Sequence, residues 1–134
     1  IIYTVDYTSN IQNGILSLMI RSNLKEGTNA QREIIQTYNY DLRNNKEITL
    51  DEILTIVDVD SQVAQNQINT EISTQQERVN ELKSLGYNIY SRDSESEIYN
   101  VENVEEYYVT SNTLYVIFAY GNSANTSEKD IIII

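Results

Sequence analysis

The stretch "YNYDLRNNKEITLDEIL", Tyr38 to Leu54, carries the densest folding instruction in the chain. Tyr38, Tyr40 and Leu42 alternate with Asn39 and Asp41, the period of a strand with one apolar and one polar face. "RNNK" supplies a turn, and Glu47-Ile48 is long enough for a brief return pairing. Thr49-x-x-Glu52 is then a capping box, in which the threonine oxygen accepts a free helical N–H while the glutamate reaches back to the cap residue. The spacing predicts a strand, a turn and a short helix from Leu50 to about Ile56, with no nucleophile and no histidine among them.

On the N-terminal side, Arg32 to Leu42 reads as the full strand, preceded by a polar loop, Asn23 to Gln31, that contains Gly27. Ile1 to Thr8 is rich in β-branched and aromatic residues, and Asn13-Gly14 is a strong hairpin signal. Ile15 to Ser22, "ILSLMIRS", is the returning strand, although its apolar positions are too dense to single out one buried face.

On the C-terminal side, Val63, Ile68, Ile72, Val79, Leu82 and Leu85 recur at helical spacing between polar residues, predicting a helix from about Ser61 to Leu85 stopped by Gly86. Tyr87 to Tyr90 reads as a short strand. "EYYVTSNTLYVIFAY" reads as a hairpin of Tyr107 to Thr110 and Thr113 to Tyr120, and Asp130 to Ile134 as a final strand. The expected fold class is α+β: an antiparallel sheet of about six strands, covered on one face by one long helix plus a short helix, in a single domain spanning residues 1–134.

With nine Lys+Arg against twenty Asp+Glu, the formal charge is −11, which repels nucleic acid and anionic membranes and attracts a cationic partner. The chain has no cysteine and no histidine, which removes thiolate chemistry, zinc–thiolate sites and the commonest general base. No apolar run approaches the roughly 20 residues a membrane-spanning helix needs, so no membrane insertion by this segment is expected. The start "IIYTVDY" and the end "DIIII" suggest a segment of a longer protein.

Three residue groups invite a chemical reading. Asp58-x-Asp60 resembles the start of a calcium loop, but Val63 stands where the glycine belongs, and helix capping by Asp60 or Ser61 is the better account. Between Ser84 and Tyr120 the only basic residue is Arg92, against Asp93, Glu95, Glu97, Glu102, Glu105 and Glu106. In extended chain Asp93, Glu95 and Glu97 share one face. Set among serines with little apolar cover, they suit a solvated patch for partner docking better than the desolvated acid a glycosidase requires. Tyr107, Tyr108, Tyr115 and Tyr120 could offer a stacking or protein-binding surface, or simply fill half-buried strand positions.

The order "GILSLMI", a loop, "YNYDLRNNKEITLDEIL", a long helix and "EEYYVTSNTLYVIFAYG" resembles the extracytoplasmic domain of unknown function shared by RsiV-type anti-sigma factors and PdaC-type peptidoglycan deacetylases. Tyr38, Asn39, Asp41, Leu42, Lys46, Ile48, Thr49, Leu50 and Leu54 match its strand–turn–helix motif, and Tyr107 to Phe118 follows its later hairpin approximately. The loop "EGTNAQRE" lacks the family's histidine, Thr113 replaces the hairpin glycine, and "GNSANTSEKD" replaces a proline- and tyrosine-rich stretch.

The resemblance implies a non-catalytic, extracytoplasmic binding or sensing module of the cell surface of Gram-positive bacteria, not an enzyme and without a cofactor. RsiV-like relatives bind lysozyme, so lysozyme or another basic, cell-wall-directed protein is the expected partner. The alternative is an accessory domain that positions a peptidoglycan-modifying enzyme on glycan. The expected docking surface comprises Asp93, Glu95, Glu97, Glu102, Glu105, Glu106, Tyr107 and Tyr108.

Overall fold

A computed structural model describes all 134 residues. The turn Asn13-Gly14, with φ of 51° and 77°, has the left-handed geometry of a two-residue hairpin loop and joins β1 (Ile2–Gln12) to β2 (Ile15–Lys25). β3 (Arg32–Asp41) pairs with the other side of β2. Past it, the Asp41 carboxylate accepts the N–H groups of Arg43 and Asn44 and the Asn44 side-chain amide, while Asn45 takes φ 55°. The Asn44 contacts lead in holding the Asp41 carboxyl below the usual carboxylate range. The turn so fixed returns as β4 (Lys46–Glu47), against Tyr40 and Asp41.

Both predicted helices form. Thr49 and Glu52 make the capping box of α1 (Leu50–Ile56), and the Asp60 carboxylate accepts the Gln62 N–H at 2.8 Å as the cap of α2 (Ser61–Ser84). Ile68, Ile72 and Val79 of α2 are buried together with Ala64, whereas Val63, Leu82 and Leu85 are exposed. Residues 87–90 are not a strand; two short 3₁₀ turns, Glu97–Tyr99 and Val101–Asn103, follow them. β5 (Glu106–Thr110), β6 (Thr113–Ala119) and β7 (Lys129–Ile133) close the chain.

The α+β class holds, but a single sheet does not: four strands in the order β1-β2-β3-β4 form one antiparallel sheet, and β5-β6-β7 form another. The second sheet is the middle layer. One face carries Val116, Phe118 and Ile132 against Ile68 and Ile72 of α2. The other places Tyr108 and Ile117 against Ile35 and Met19 of the first sheet. The α1 turn of the core joins Ile15, Ile48, Ile53 and Leu54 to Leu114 and to Ala64 of α2.

The sheets stay separate because the β3 edge is occupied by side chains. Asn122 gives its amide oxygen to the Ile35 N–H at 3.0 Å and its amide nitrogen to the Ile35 carbonyl at 2.8 Å, as a neighbouring peptide would. The Glu106 carboxylate accepts the Thr37 N–H, and the Glu33 N–H reaches the Thr126 carbonyl. The free edge of β5 is met in turn by the first sheet's inner side chains: the Tyr107 N–H donates to Thr37, the Tyr107 carbonyl accepts from Asn39, and the Val109 N–H donates to Ser17. Ser17 also donates to Asn39 at 2.6 Å, so both are buried and satisfied.

That junction reverses the facing expected of β3. Asn39 points inward and is 8% exposed, while Tyr38 and Leu42 of the apolar set are 53% and 47% exposed. Across the sheet, Ile15, Ser17 and Met19 share the inner face with Asn39 and Thr37, and Leu16, Leu18 and Ile20 share the outer face with Tyr38 and Tyr40.

Gly121 lies where the β6–β7 connection crosses β3. A Cβ there would stand 2.0 Å from the Glu33 carbonyl oxygen and 2.6 Å from that of Thr126, both backbone atoms with no room to retreat. Gly121→Ala should therefore destabilise the fold by about 3 kcal/mol, measured by urea unfolding, because it wedges the sheets apart. An unchanged midpoint would show that this crossing does not hold them together.

Candidate functional site

The acidic segment Asp93 to Glu106 lies along α2 and ends over the second sheet. Its backbone is held by the polar side of the helix: the Arg92 N–H donates to Gln76, the Val101 N–H donates to Gln65, and the Gln65 amide donates to the Tyr99 carbonyl. From the sequence these glutamines read only as a wet helix face, since partners 16 to 36 residues away leave no local pattern. Local bonds complete the hold. Asp93 accepts the Glu95 N–H, Ser96 accepts the Ile98 N–H, and the Asn103 amide donates to the Glu97 carbonyl.

The segment is bent and partly 3₁₀, so Asp93, Glu95 and Glu97 do not share the face that extended chain would give them. Glu95 and Glu102 line a depression of about 420 Å³ beside Asn69 and Ser73 of α2. Glu97, Glu105 and Glu106 line a cleft of about 540 Å³ whose wall is built from Ile98, Ile117 and Phe118. Asp93, Glu95, Glu97, Glu102 and Glu105 are all exposed.

Three of the expected docking residues serve the fold. Tyr108 is 5% exposed and packs with Ile35 and Ile117. Tyr107 is half-buried and donates its hydroxyl to the Ile48 carbonyl at 3.0 Å. Glu106, also half-buried, accepts both the backbone N–H and the hydroxyl of Thr37 at 2.5 Å. Burial raises its pKa, with the Thr37 bonds pulling the other way.

Arg92, the one cation of the segment, is internal. Its Nε and Nη2 donate to Asp130 at 2.6 and 2.9 Å, Nη2 also donates to Glu128 at 2.8 Å, and Nη1 has no hydrogen-bond partner. Burial works against its charge, but the bonds to Asp130 and Glu128 prevail and raise its pKa. Tyr120 donates to Asp130 as well, accepts from Tyr99 at 2.8 Å, and presents its ring 5.5 Å from the guanidinium carbon. Burial and these neighbours push the Tyr120 hydroxyl far above its usual range. Arg92 is therefore spent inside the fold and neutralises none of the exposed carboxylates around it.

No protein-family model matches the chain, and no curated protein proves detectably similar to it.

Two substitutions test the assignments. Glu106→Ala should cost about 1–3 kcal/mol by stranding the Thr37 donors, whereas Glu106→Gln keeps an acceptor and should cost less. The raised carboxyl holds a proton in the folded chain that the unfolded chain releases above the ordinary 4.5, so wild-type stability from this group falls as pH rises through that window. Glu106→Gln should gain on wild type between pH 4.5 and neutrality and show no such gain below it, as read by unfolding at each pH. Arg92→Ala should cost about 3–5 kcal/mol by leaving Asp130 buried and uncompensated, and Arg92→Met with Asp130→Leu should recover much of that loss.

Proposed function

We propose that the domain is a non-catalytic, extracytoplasmic binding or sensing module of a bacterial cell-surface protein, and that its partner is a cationic, cell-wall-directed protein such as lysozyme. The observation that carries the reading is the acidic segment itself: five exposed carboxylates on a backbone stapled to α2, with Arg92 buried and Lys83 of α2 donating to Ser91 at the N-terminal end of the segment. A charged surface fixed in this way loses little conformational freedom when a partner arrives.

The cleft beside it suits long basic side chains. Ile98, Ile117 and Phe118 can cover the methylene stem of a lysine or arginine while Glu97 and Glu105 meet its charged end. The net charge of −11 steers such a partner over a longer range at low salt. The motif residues from Tyr38 to Leu54 that resemble RsiV-type domains build the β3–turn–α1 scaffold, so the likeness bears on the scaffold and the acidic surface bears on the partner.

The glycan-positioning alternative is less well supported. Tyr108 and Tyr120 are buried and Tyr107 and Tyr115 half-buried, so the hairpin offers no open aromatic platform for a sugar ring.

Calorimetric and kinetic titration with lysozyme at low and physiological salt is the direct test. Binding should weaken with salt, and Glu97, Glu102 and Glu105 together changed to Lys should slow association at low salt by about 10-fold or more, with unchanged folding. No binding at either salt concentration removes lysozyme as the partner; unchanged association by the triple variant removes the acidic segment as the site.

A further inference from the structure

The outer face of the first sheet is more apolar than its inner face. The paired registers of β1, β2 and β3 bring fifteen positions onto it, from Tyr3 opposite Leu24 to Leu16 opposite Tyr40. Apart from Ser9, Ser22, Arg32 and Gln36, every one of them is aliphatic or tyrosine. On β1 the exposure is large: Tyr3 59%, Val5 57%, Tyr7 71% and Ile11 67%. The opposite side of β1 is polar, with Thr4, Asp6, Thr8 and Asn10 at the alternate positions. From Tyr3 to Ile11 the strand thus turns its apolar side outward.

Charge sets the face apart further. None of the twenty acidic residues falls on these positions, and Arg32 at one corner is the only cation, itself bonded to the carbonyls of Gly121 and Asn122. Depletion of charge with enrichment of tyrosine is the compositional mark of an interface core.

We propose that this face is the contact between two copies of the chain, packed sheet against sheet about a two-fold axis. Several observations favour that occupant. A cationic protein would find no carboxylate here. A glycan would find few partners for its hydroxyls beyond Ser9, Gln36 and the tyrosine hydroxyls. A second copy brings a face that is equally free of acidic groups, so two chains of charge −11 can meet here without opposing carboxylates. Three strands about 36 Å long and about 4.8 Å apart present about 500 Å², so a pair covers about 1,000 Å², the size at which a specific interface begins. Aligned packing of two such faces is the ordinary geometry of a sandwich, and an isologous contact needs only one self-complementary patch.

Sedimentation velocity over a concentration series tests the proposal. The chain of 15.4 kDa should sediment at twice that mass at micromolar concentration. Tyr7→Glu, on an exposed position of the edge strand, should weaken dimerisation by about 100-fold without changing the circular dichroism spectrum. Leu18→Glu, on the middle strand and away from the β1 edge, should do the same if the faces pack together, provided its spectrum shows a folded chain; Tyr7→Glu carries the test if it does not. A wild-type monomer up to hundreds of micromolar overturns the proposal. So does a dimer that resists Tyr7→Glu, or one that resists a folded Leu18→Glu, since the latter would place the contact at the strand edge. A monomer that binds peptidoglycan fragments and loses them on Tyr7→Glu would assign the face to glycan instead.

Discussion

Two strand edges meet inside this molecule without forming a ladder. β3 before Asn39 and the outer side of β5 both carry N–H and C=O groups that no other strand pairs, and a buried, unpaired peptide group costs about 1–3 kcal/mol. The chain meets the need with side chains: Asn122 and Glu106 serve β3, while Ser17, Thr37 and Asn39 serve β5. Thr37 and Glu106 are reciprocal, since Thr37 donates to the carboxylate and accepts the Tyr107 N–H from the next residue. The second sheet is thereby anchored by one edge on the face of the first, and its remaining face is left for α2. The three-layer order follows from that anchorage.

It also fixes which way the first sheet faces. Ser17, Thr37 and Asn39 must point inward to reach β5, and the two-residue period of a strand then sends Leu16, Leu18, Tyr38 and Tyr40 outward. Inward polarity does not by itself require outward apolarity. Apart from the hydrogen bonds of Tyr3 to Ser22 and of Tyr40 to Asn45, the leucines and tyrosines of the outer face make no side-chain hydrogen bond within the chain. A surface that meets its own copy accounts for them.

Local elements could be read in the sequence wherever their determinants lie within a few residues. The Asn13-Gly14 turn, the Thr49–Glu52 box, the Asp60 cap and the stop at Gly86, which adopts φ 94°, are each decided by near neighbours. Periodicity shows which residues share a face but not which face lies inside, so the alternation in β3 is legible while the outward turn of Tyr38 and Leu42 is not. The dense apolar run Ile15 to Ser22 resisted assignment for a related reason, because it is apolar toward both the core and solvent. In α2 the same ambiguity made Val63, Leu82 and Leu85 resemble core, when the helix buries only its central stripe on the small second sheet. The division into two sheets depends on bonds spanning 68 to 92 residues, such as Asn39 to Tyr107 and Ser17 to Val109, and no window of sequence contains them.

The acidic segment was visible as composition, yet its character as a surface depends on Arg92. If that guanidinium faced solvent it would offset one of the neighbouring carboxylates; bound between Asp130 and Glu128 it is not available to them. The segment and the apolar outer face also lie on opposite sides of the molecule, one against α2 and the second sheet, the other on the far side of the first sheet. Two copies joined through the neutral face would leave both acidic segments turned outward, and each could engage a cationic surface while the other remained free. Where the partner is itself arrayed on a cell wall, the second engagement becomes intramolecular and the pair holds more tightly than either segment alone.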